Sequence, residues 1–362
     1  MKQVVLIFSL TLFSFLANAQ QFTITGKIVD KNTKQPLPSA SVFAQNTTFG
    51  TLSDSSGNFK LKLPDGGYDI AVSYTGYEIS SQRISTASAS ESLLIELKPK
   101  EKSLGEVSIV FTGEVRDGWK KYGTFFTENF IGKTEFAKQA VITNPEVLKF
   151  YFSKKRNRLK VIADSPLVVA NNALGYNIKY AVDSFMYEYT TSTTAYVSYP
   201  LFEEMTGNAA QQQVWKENRK KAYYGSVLHF MRSFYTKTLA DQGFEIQFLV
   251  KNSDNEQSIP VKNMYGALNY TKIDSTNTVE FIPNQPDMVV IYEKAKPEAA
   301  YLEFDPGAKK GFQVSYLTIA PNQTVTIENN GYYYDQLDII TNGYWGFEKI
   351  ANMLPYDYYP EK

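Results

Sequence analysis

The sequence predicts a mainly β chain in two parts, an N-terminal antiparallel β-sandwich followed by a larger α+β domain. Three observations carry this reading. Strict period-two alternation recurs at short intervals between Phe22 and Leu97, punctuated by Gly, Pro and Asp turns. A charged, Pro-containing break, Lys98-Pro99-Lys100-Glu101-Lys102, then ends that pattern. Beyond it, helical and strand periodicities alternate to the end of the sequence. The expected division is 1–19 signal peptide, 20–98 sandwich, 99–112 linker, and 113–362 an α+β domain of unknown function.

In the first part, Phe22–Asp30 opens as a strand with Phe22, Ile24 and Ile28 on one face. Gln35-Pro36-Leu37-Pro38 turns, and Ala40–Phe43 is extended. Asp54-Ser55-Ser56-Gly57-Asn58 is a tight turn feeding Phe59, Leu61 and Leu63, which alternate with Lys60 and Lys62. Pro64-Asp65-Gly66-Gly67 turns again before Tyr68, Ile70, Val72 and Tyr74, and Leu93, Ile95 and Leu97 close the set. This is the pattern of a sandwich. Asp54 and Asn58 read as turn residues whose side chains bond the local backbone. Calcium would need six to eight oxygens, and this loop offers few.

The residues Gly26-Lys27-Ile28-Val29-Asp30, Gln35-Pro36-Leu37 with Ala40 and Val42, Gly50-Thr51, Asp54 to Phe59, Gly66, Tyr68 and Tyr74-Thr75-Gly76-Tyr77 resemble the carboxypeptidase-regulatory-like domain. That resemblance implies a small prealbumin- or immunoglobulin-like sandwich at the mature N-terminus of an exported Gram-negative envelope protein. Outer-membrane nutrient transporters are among the proteins that carry it. It implies no peptidase activity, because the domain is the non-catalytic appendage of carboxypeptidases.

Residues 99–112 read as linker plus a lead-in strand, Val107–Phe111. Trp119, Tyr122, Phe125, Phe126 and Phe130 then recur at helical spacing, and Thr134–Val141 reads as a second short helix. Strands are expected at Leu159–Ala163, Leu167–Val169, Tyr176–Val182 and through Ala195, Val197 and Tyr199. The strongest helical segment runs from Gln212 to Ala240; Gly225-Ser226 divides it, with Ser226 as N-cap of the second piece and Gly243 as the stop. Further strands are expected at Phe244–Val250, Val279–Ile282, Met288–Tyr292, Tyr301–Phe304, Phe312–Tyr316, Thr324–Ile327 and Tyr332–Ile340. A last short helix carries Phe347, Ile350 and Leu354 before Pro355 and Pro360. The apparent strands, about five to seven residues, are shorter than the 9–11 that span an outer membrane, and the chain ends without a terminal aromatic, so a barrel is disfavoured.

Stretches of this region, including Phe130-Ile131-Gly132, Asn144-Pro145, Asn171 to Tyr176, Asn218-Arg219, Tyr223, Gly225-Ser226, His229-Phe230, Gly343 to Gly346 and Leu354-Pro355, resemble an exported family known through its N-terminal sandwich. That family has no assigned chemistry, so the resemblance implies architecture alone.

Chemistry is constrained mainly by what is scarce. There is one His, His229, and no Cys, so a Cys-based or His-pair zinc site, a Cys nucleophile and a disulfide are excluded. A Ser-His-Asp arrangement would have to use His229, and Tyr224-Gly225-Ser226-Val227-Leu228 lacks the second glycine of a nucleophile elbow. The plainer reading is that Ser226 caps a helix and His229 bonds a nearby carbonyl. Glu203-Glu204 reads as a solvated loop, and Lys216, Arg219, Lys220 and Lys221 with Glu217 as a solvated helix face. No phosphate-binding glycine motif occurs, and 37 basic residues balance 37 acidic ones, so neither a cofactor nor nucleic acid is expected. No catalytic, cofactor-binding or metal-binding residue is assigned. The 15% aromatic share fits strands, and also fits a sugar- or peptide-binding surface.

Two functional classes stand. One is a non-enzymatic envelope protein, in the periplasm or at the outer membrane or cell surface, that binds a protein or glycan partner through the larger domain. The other is a carboxylate-dependent envelope hydrolase acting on glycans. An aromatic-lined site without convergent acids would favour the first, and two facing carboxyl groups in a deep pocket the second.

Export itself is read from Lys2, the apolar run Val4–Leu16 and the small-x-small site Ala17-Asn18-Ala19. The run falls short of the roughly 20 residues a spanning helix needs, and without Cys no N-terminal lipid is attached. Sequencing of protein from the envelope fraction is expected to begin at Gln20; a chain still starting at Met1 would count against cleavage.

Overall fold

The computed structural model describes residues 22–86, 92–100, 113–252, 255–336 and 339–361. The expected signal peptide and lead-in strand Val107–Phe111 fall outside the described residues.

The first part is a β-sandwich. One sheet joins β1 (Phe22–Asp30), β4 (Asn58–Leu63) and β7 (Leu93–Leu97); the other joins β2 (Ser41–Ala44), β3 (Gly50–Leu52), β5 (Gly67–Ser73) and β6 (Ser80–Ser85). Pairing is antiparallel except that β7 runs parallel to β1, with Gly26 opposite Leu93 and Asp30 opposite Leu97. The alternating residues do what their spacing demands: Ile24, Ile28, Phe59, Leu61, Leu63, Tyr68, Ile70, Val72, Ile95 and Leu97 meet between the sheets. Pro99 and Lys100 still belong to this unit, since Pro99 bridges Tyr77 and the Lys100 amide reaches Gly76 O.

The larger α+β part has two main cores and a small cluster of Tyr301, Tyr344 and Phe347. The first forms under a six-stranded sheet of β8 (Ala140–Ile142), β9 (Leu148–Ser153), β10 (Arg158–Ala163), β11 (Leu167–Asn171), β12 (Tyr176–Glu188) and β13 (Thr193–Glu204). Helix α1 (Gly118–Phe130) lays Phe126 and Phe130 on this sheet against Phe150, Tyr180 and Phe185. After α2 (Ala209–Tyr223) come α3 (Val227–Tyr235) and α4 (Leu239–Gln242). Helix α3 presents Phe230, Met231 and Phe234 to the second core. There they meet a five-stranded sheet of β14 (Phe244–Asn252), β15 (Asn255–Pro260), β18 (Asp287–Tyr292), β19 (Gln313–Ile319) and β21 (Ile339–Gly343). A small sheet of β16 (Thr271–Ile273), β17 (Thr278–Phe281) and β20 (Val325–Ile327) completes this core. The short helices α5 (Met264–Ala267), α6 (Ala299–Phe304) and α7 (Tyr344–Glu348) fill connections.

The chain crosses between the two cores at two places. At the first, Ala222 and Tyr223 pack in the first core while Phe230 packs in the second. Gly225 (φ 93°) makes the turn between them, and Ser226 caps α3 by accepting the His229 amide at 3.2 Å. At the second, Trp345 packs in the second core and Ile350 in the first, with Lys349 (φ 46°) at the reversal between them.

Several expectations are corrected. Tyr301–Phe304 is helical, because Tyr301 and Phe304 on one face of α6 pack against Phe347. Within Thr134–Val141 only a 3-10 turn, Ala137–Gln139, forms; Ala140–Ile142 is claimed by pairing with β11. Strands β12 and β13 run 13 and 12 residues, because a bulge between Val182 and Ser184 lets the ladder continue. The strand-length argument against a barrel therefore fails for this hairpin; the five sheets of the described residues are open ladders. In β19 the buried face is Gln313, Ser315, Leu317 and Ile319, leaving Tyr316 outside. Tyr332–Gln336 is irregular, and a strand begins only at Ile339.

The sandwich docks on the larger part through its β2–β3 turn. The Asn46 amide donates to Pro200 O (2.8 Å) and the Phe202 amide to Thr47 O (2.9 Å), so this turn extends the outer edge of β13. The other side of the turn meets the C-terminal segment: the Tyr356 amide donates to Asn46 O (2.7 Å), and Asp357 accepts from the Thr48 amide (2.9 Å) and hydroxyl. A second contact joins Gly67 O to Asn330 Nδ2 (3.0 Å), Asp65 to Asn329 Nδ2 (2.6 Å), and Arg83 to Asp335 (2.8 Å) and Tyr332. Gly67 permits that approach, since a Cβ there would lie 2.3 Å from Glu328 Cγ.

All three Trp lie in the larger part, so their fluorescence reports its unfolding. Asp357→Ala removes two bonds to Thr48 and is expected to cost about 1–3 kcal/mol, read as a lower urea midpoint by Trp fluorescence. An unchanged midpoint would show that the two bonds to Thr48 carry no stability.

Candidate functional site

The two crossings and the β2–β3 turn converge on one cavity of about 260 Å³. Asn46 comes from the sandwich, Tyr196 from β13, Ala222 to Leu228 from the first crossing, and Trp345 to Leu354 from the second; Tyr333, Gln336 and Tyr356 close it. Most wall groups have partners within the protein. Trp345 Nε1 donates to Gly225 O (2.6 Å), Ser226 Oγ to Tyr223 O (2.7 Å), Gln336 Nε2 to the Tyr356 hydroxyl (2.8 Å), and Thr134 Oγ1 to Asn352 Oδ1 (2.7 Å). Asn46 is 7% exposed, and its Oδ1 is buried without a hydrogen-bond partner.

Glu348 is the one acid on this wall. Burial pushes its carboxyl up to about 8, the nearby Glu298 charge adds to the effect, and Asn352 Nδ2 at 3.4 Å opposes it. Glu348 is therefore mostly neutral at pH 7. Burial also holds the Lys349 amine below its usual range. Glu298 is itself raised by burial, but its Oε2 accepts the Glu135 amide (3.0 Å) and it does not line the cavity. The result is an aromatic-walled site with amide groups, one protonated acid and the Lys349 amine.

The residues weighed from sequence lie largely elsewhere. His229 sits behind the cavity wall. Its Nδ1 accepts the Gly225 amide (3.1 Å), which leaves the proton on Nε2, facing Gln242 Oε1 at 3.1 Å. Its partner is thus the carbonyl oxygen of a side-chain amide. Ser226 Oγ is directed to Tyr223 O, so the two side chains form no nucleophile–base pair. Asp54 Oδ1 accepts the Ser56 and Asn58 amides, and Gly57 takes φ 77°, the turn expected there. Among the described residues no group of three or more His, Asp or Glu gathers as metal ligands.

Two surface readings are corrected. Glu203 and Glu204 end strand β13 and pair with Lys179 (2.6 Å) and Arg219 (3.0 Å). Arg219 is a clamp: it reaches the carbonyls of Leu174 and Gly175 and lies 3.9 Å over the Tyr176 ring. A second cleft, about 280 Å³, opens beside Trp215, Lys216 and Arg219, but both cations there are already ion-paired, Lys216 with Glu361.

Asn46 was not singled out from sequence. The available signal was the run Gln45-Asn46-Thr47-Thr48 between two strands, a turn in which Asn tolerates the left-handed conformation it adopts (φ 56°).

Comparison with known proteins bears on the first part. Residues 24–109 match the CarboxypepD_reg-like domain, so the N-terminal sandwich is of that type. The TonB-dependent receptor SusC of Bacteroides thetaiotaomicron is 36% identical over 100 residues, 28% of this chain and 9% of the receptor. The TonB-dependent receptor P3 of Formosa agariphila is 22% identical over 116 residues, 32% of this chain and 11% of the receptor. The match thus spans about a tenth of these relatives' length. A 9R-lipoxygenase from Cyanothece PCC8801 aligns over 62% of this chain and 49% of its own at 10% identity, with a TM-score of 0.18, too low to carry a fold argument.

Burial lowers His229 to about 4. Between its ordinary value of 6.5 and 4, the unfolded chain binds a proton that the folded chain excludes, so His229 costs stability as pH falls through that window. The slope approaches about 1.4 kcal/mol per pH unit. His229→Asn is expected to be about 1–2 kcal/mol less stable at pH 7, with a gap that closes near about pH 5–6 and reverses toward pH 4 in urea titrations. A gap independent of pH would mean that His229 titrates as it does in water.

Proposed function

We propose that this chain is an exported cell-envelope protein that binds its ligand without cleaving it, with the CarboxypepD_reg-like unit built into the wall of the binding site. The observation that carries this reading is the single acid in the junction cavity. Hydrolysis of a glycosidic bond uses two carboxyl groups on opposite sides of that bond. Export is supported by the N-terminal pattern ending at Ala17-Asn18-Ala19 and by the similarity to two TonB-dependent receptors. Periplasmic and surface placement fit these observations equally. The division at 98 and 113 remains part of the proposal.

The second reading, a glycan-directed hydrolase, draws on Glu298. It and Glu348 are both raised by burial, and Glu298's charge is felt at Glu348. For this pair to work, Glu298 would have to leave the Glu135 amide and enter the cavity.

Incubated with neutral and acidic oligosaccharides, the wild-type chain is expected to release no new reducing ends. Cleavage that is lost in both Glu348→Gln and Glu298→Gln, with unchanged melting profiles, would overturn the binding reading in favour of the two-carboxylate one.

A further inference from the structure

Lys349, Tyr196 and Tyr333 line the junction cavity, and the polar atom of none of the three is bonded within the protein. Among the described residues the Lys349 amine makes no hydrogen bond and no ion pair. The Tyr196 and Tyr333 hydroxyls are also without partners, yet neither is sealed off as the Tyr180 hydroxyl is. Both rings pack on the cores, so the open space their hydroxyls meet is the cavity. Burial raises both phenols, so at neutral pH each keeps a proton to donate. Tyr196 is felt electrostatically at Tyr333, which places the two close together.

The backbone at Lys349 is a second, independent observation. Its φ of 46° and ψ of −158° suit glycine and cost a residue with a Cβ roughly 1–3 kcal/mol. A lysine is thus kept, unpaired, at a position where glycine would fold more easily. Buried charges are ordinarily paired, and burial holds this amine below its usual range, as expected of one without a counter-charge. Glu348 forms no ion pair with it and is mostly protonated at pH 7, so it competes little with an anion.

Beside these groups the wall carries Val227, Leu228, Met353, Leu354 and the Trp345 ring, apolar surface for the body of a ligand. The volume, about 260 Å³, is that of about nine waters in bulk liquid, enough for one ring or a short chain. One cation matches one negative charge, which suits a carboxylate better than a dianionic phosphate.

Building on the binding reading above, we propose that the junction cavity binds a small carboxylate with an apolar body, its charge paired with the Lys349 amine and the Tyr196 and Tyr333 hydroxyls serving as further hydrogen-bond donors.

The test is titration calorimetry of the mature chain at pH 7 with benzoate and hexanoate, alongside benzyl alcohol and hexanol as uncharged counterparts and phenyl phosphate as a dianion. A carboxylate is expected to bind at least about tenfold more tightly than its alcohol, the scale of a charge-assisted hydrogen bond. In Lys349→Gly that preference is expected to vanish while the melting temperature stays level or rises, because glycine relieves the backbone at 349. If the glycine variant does not fold, Lys349→Met makes the same comparison with the length of the side chain kept. In the wild-type chain benzoate is expected to shift the Trp345 indole N–H resonance; binding that leaves it unmoved places the ligand elsewhere and overturns the proposal. An alcohol that binds as tightly as its acid, a preference for acid that survives loss of the amine, tighter binding of phenyl phosphate, or binding of none of these probes also overturns it, while leaving the non-enzymatic reading in place. Release of reducing ends from an oligosaccharide instead overturns that reading, on which the proposal rests.

Discussion

Arg232 is buried on α3, and its guanidinium is satisfied by three backbone carbonyl oxygens: Asn330, Tyr356 and Tyr358, at 2.7–2.9 Å. Tyr359 covers it at 3.9 Å. Hydrogen bonds to a charged group contribute about 1.5–3 kcal/mol each. Removing a cation from water costs several kcal/mol, so the two effects are of similar size and the net gain in stability is modest. The positional effect is larger. Arg232 ties the second core to the segment 356–358, on which the β2–β3 turn of the sandwich rests, and to the loop at 330, which holds Gly67. A neutral side chain at 232 would deprive these three carbonyls, two of them in fully buried bonds, of their charged donor.

The cavity follows from that constraint. Each core is closed by its own packed residues, and the polar wall forms where the chain passes from one to another. Gly225 and Lys349, the residues at the two crossings, both have positive φ, so neither helix continues across the gap and space is left between them. Burying a protonated glutamate beside that space is costly for folding, and such perturbed groups gather at functional sites. The same seam that holds the sandwich in place also gives the cavity its fourth wall.

Much of the fold was legible because local pattern and burial coincide. Phe59, Leu61 and Leu63 alternate with lysines, so only one face of β4 can enter a core. Gly225-Ser226 marked the helix break because each residue has a specific local use, a positive φ and a cap. Where both faces of a segment are apolar, pattern loses its force. In β19 the phase set by Phe312, Val314 and Tyr316 competes with that of Leu317 and Ile319, and packing in the second core selects the latter. The short helix α6 was mistaken for a strand because its aromatics suit either state; contact with Phe347 decides it. The site was the least legible part. Its residues are drawn from positions 46, 196, 226 and 336–356, and only folding makes them neighbours.

The parallel pairing of β7 with β1 has a mechanical consequence. Because the first and last strands of the sandwich point the same way, the chain enters this unit at Phe22, at one end of the sheet, and leaves at Leu97, at the other. Tension drawn through those two ends pulls β1 and β7 in opposite directions along their length. Their ladder from Gly26–Leu93 to Asp30–Leu97 is then loaded in shear, with its evenly spaced slanted bonds sharing the force. An antiparallel pair joined to the chain at one end would be peeled apart bond by bond. The N-terminal unit is thus arranged as an in-line link, strongest along the direction in which the polypeptide itself would be stretched.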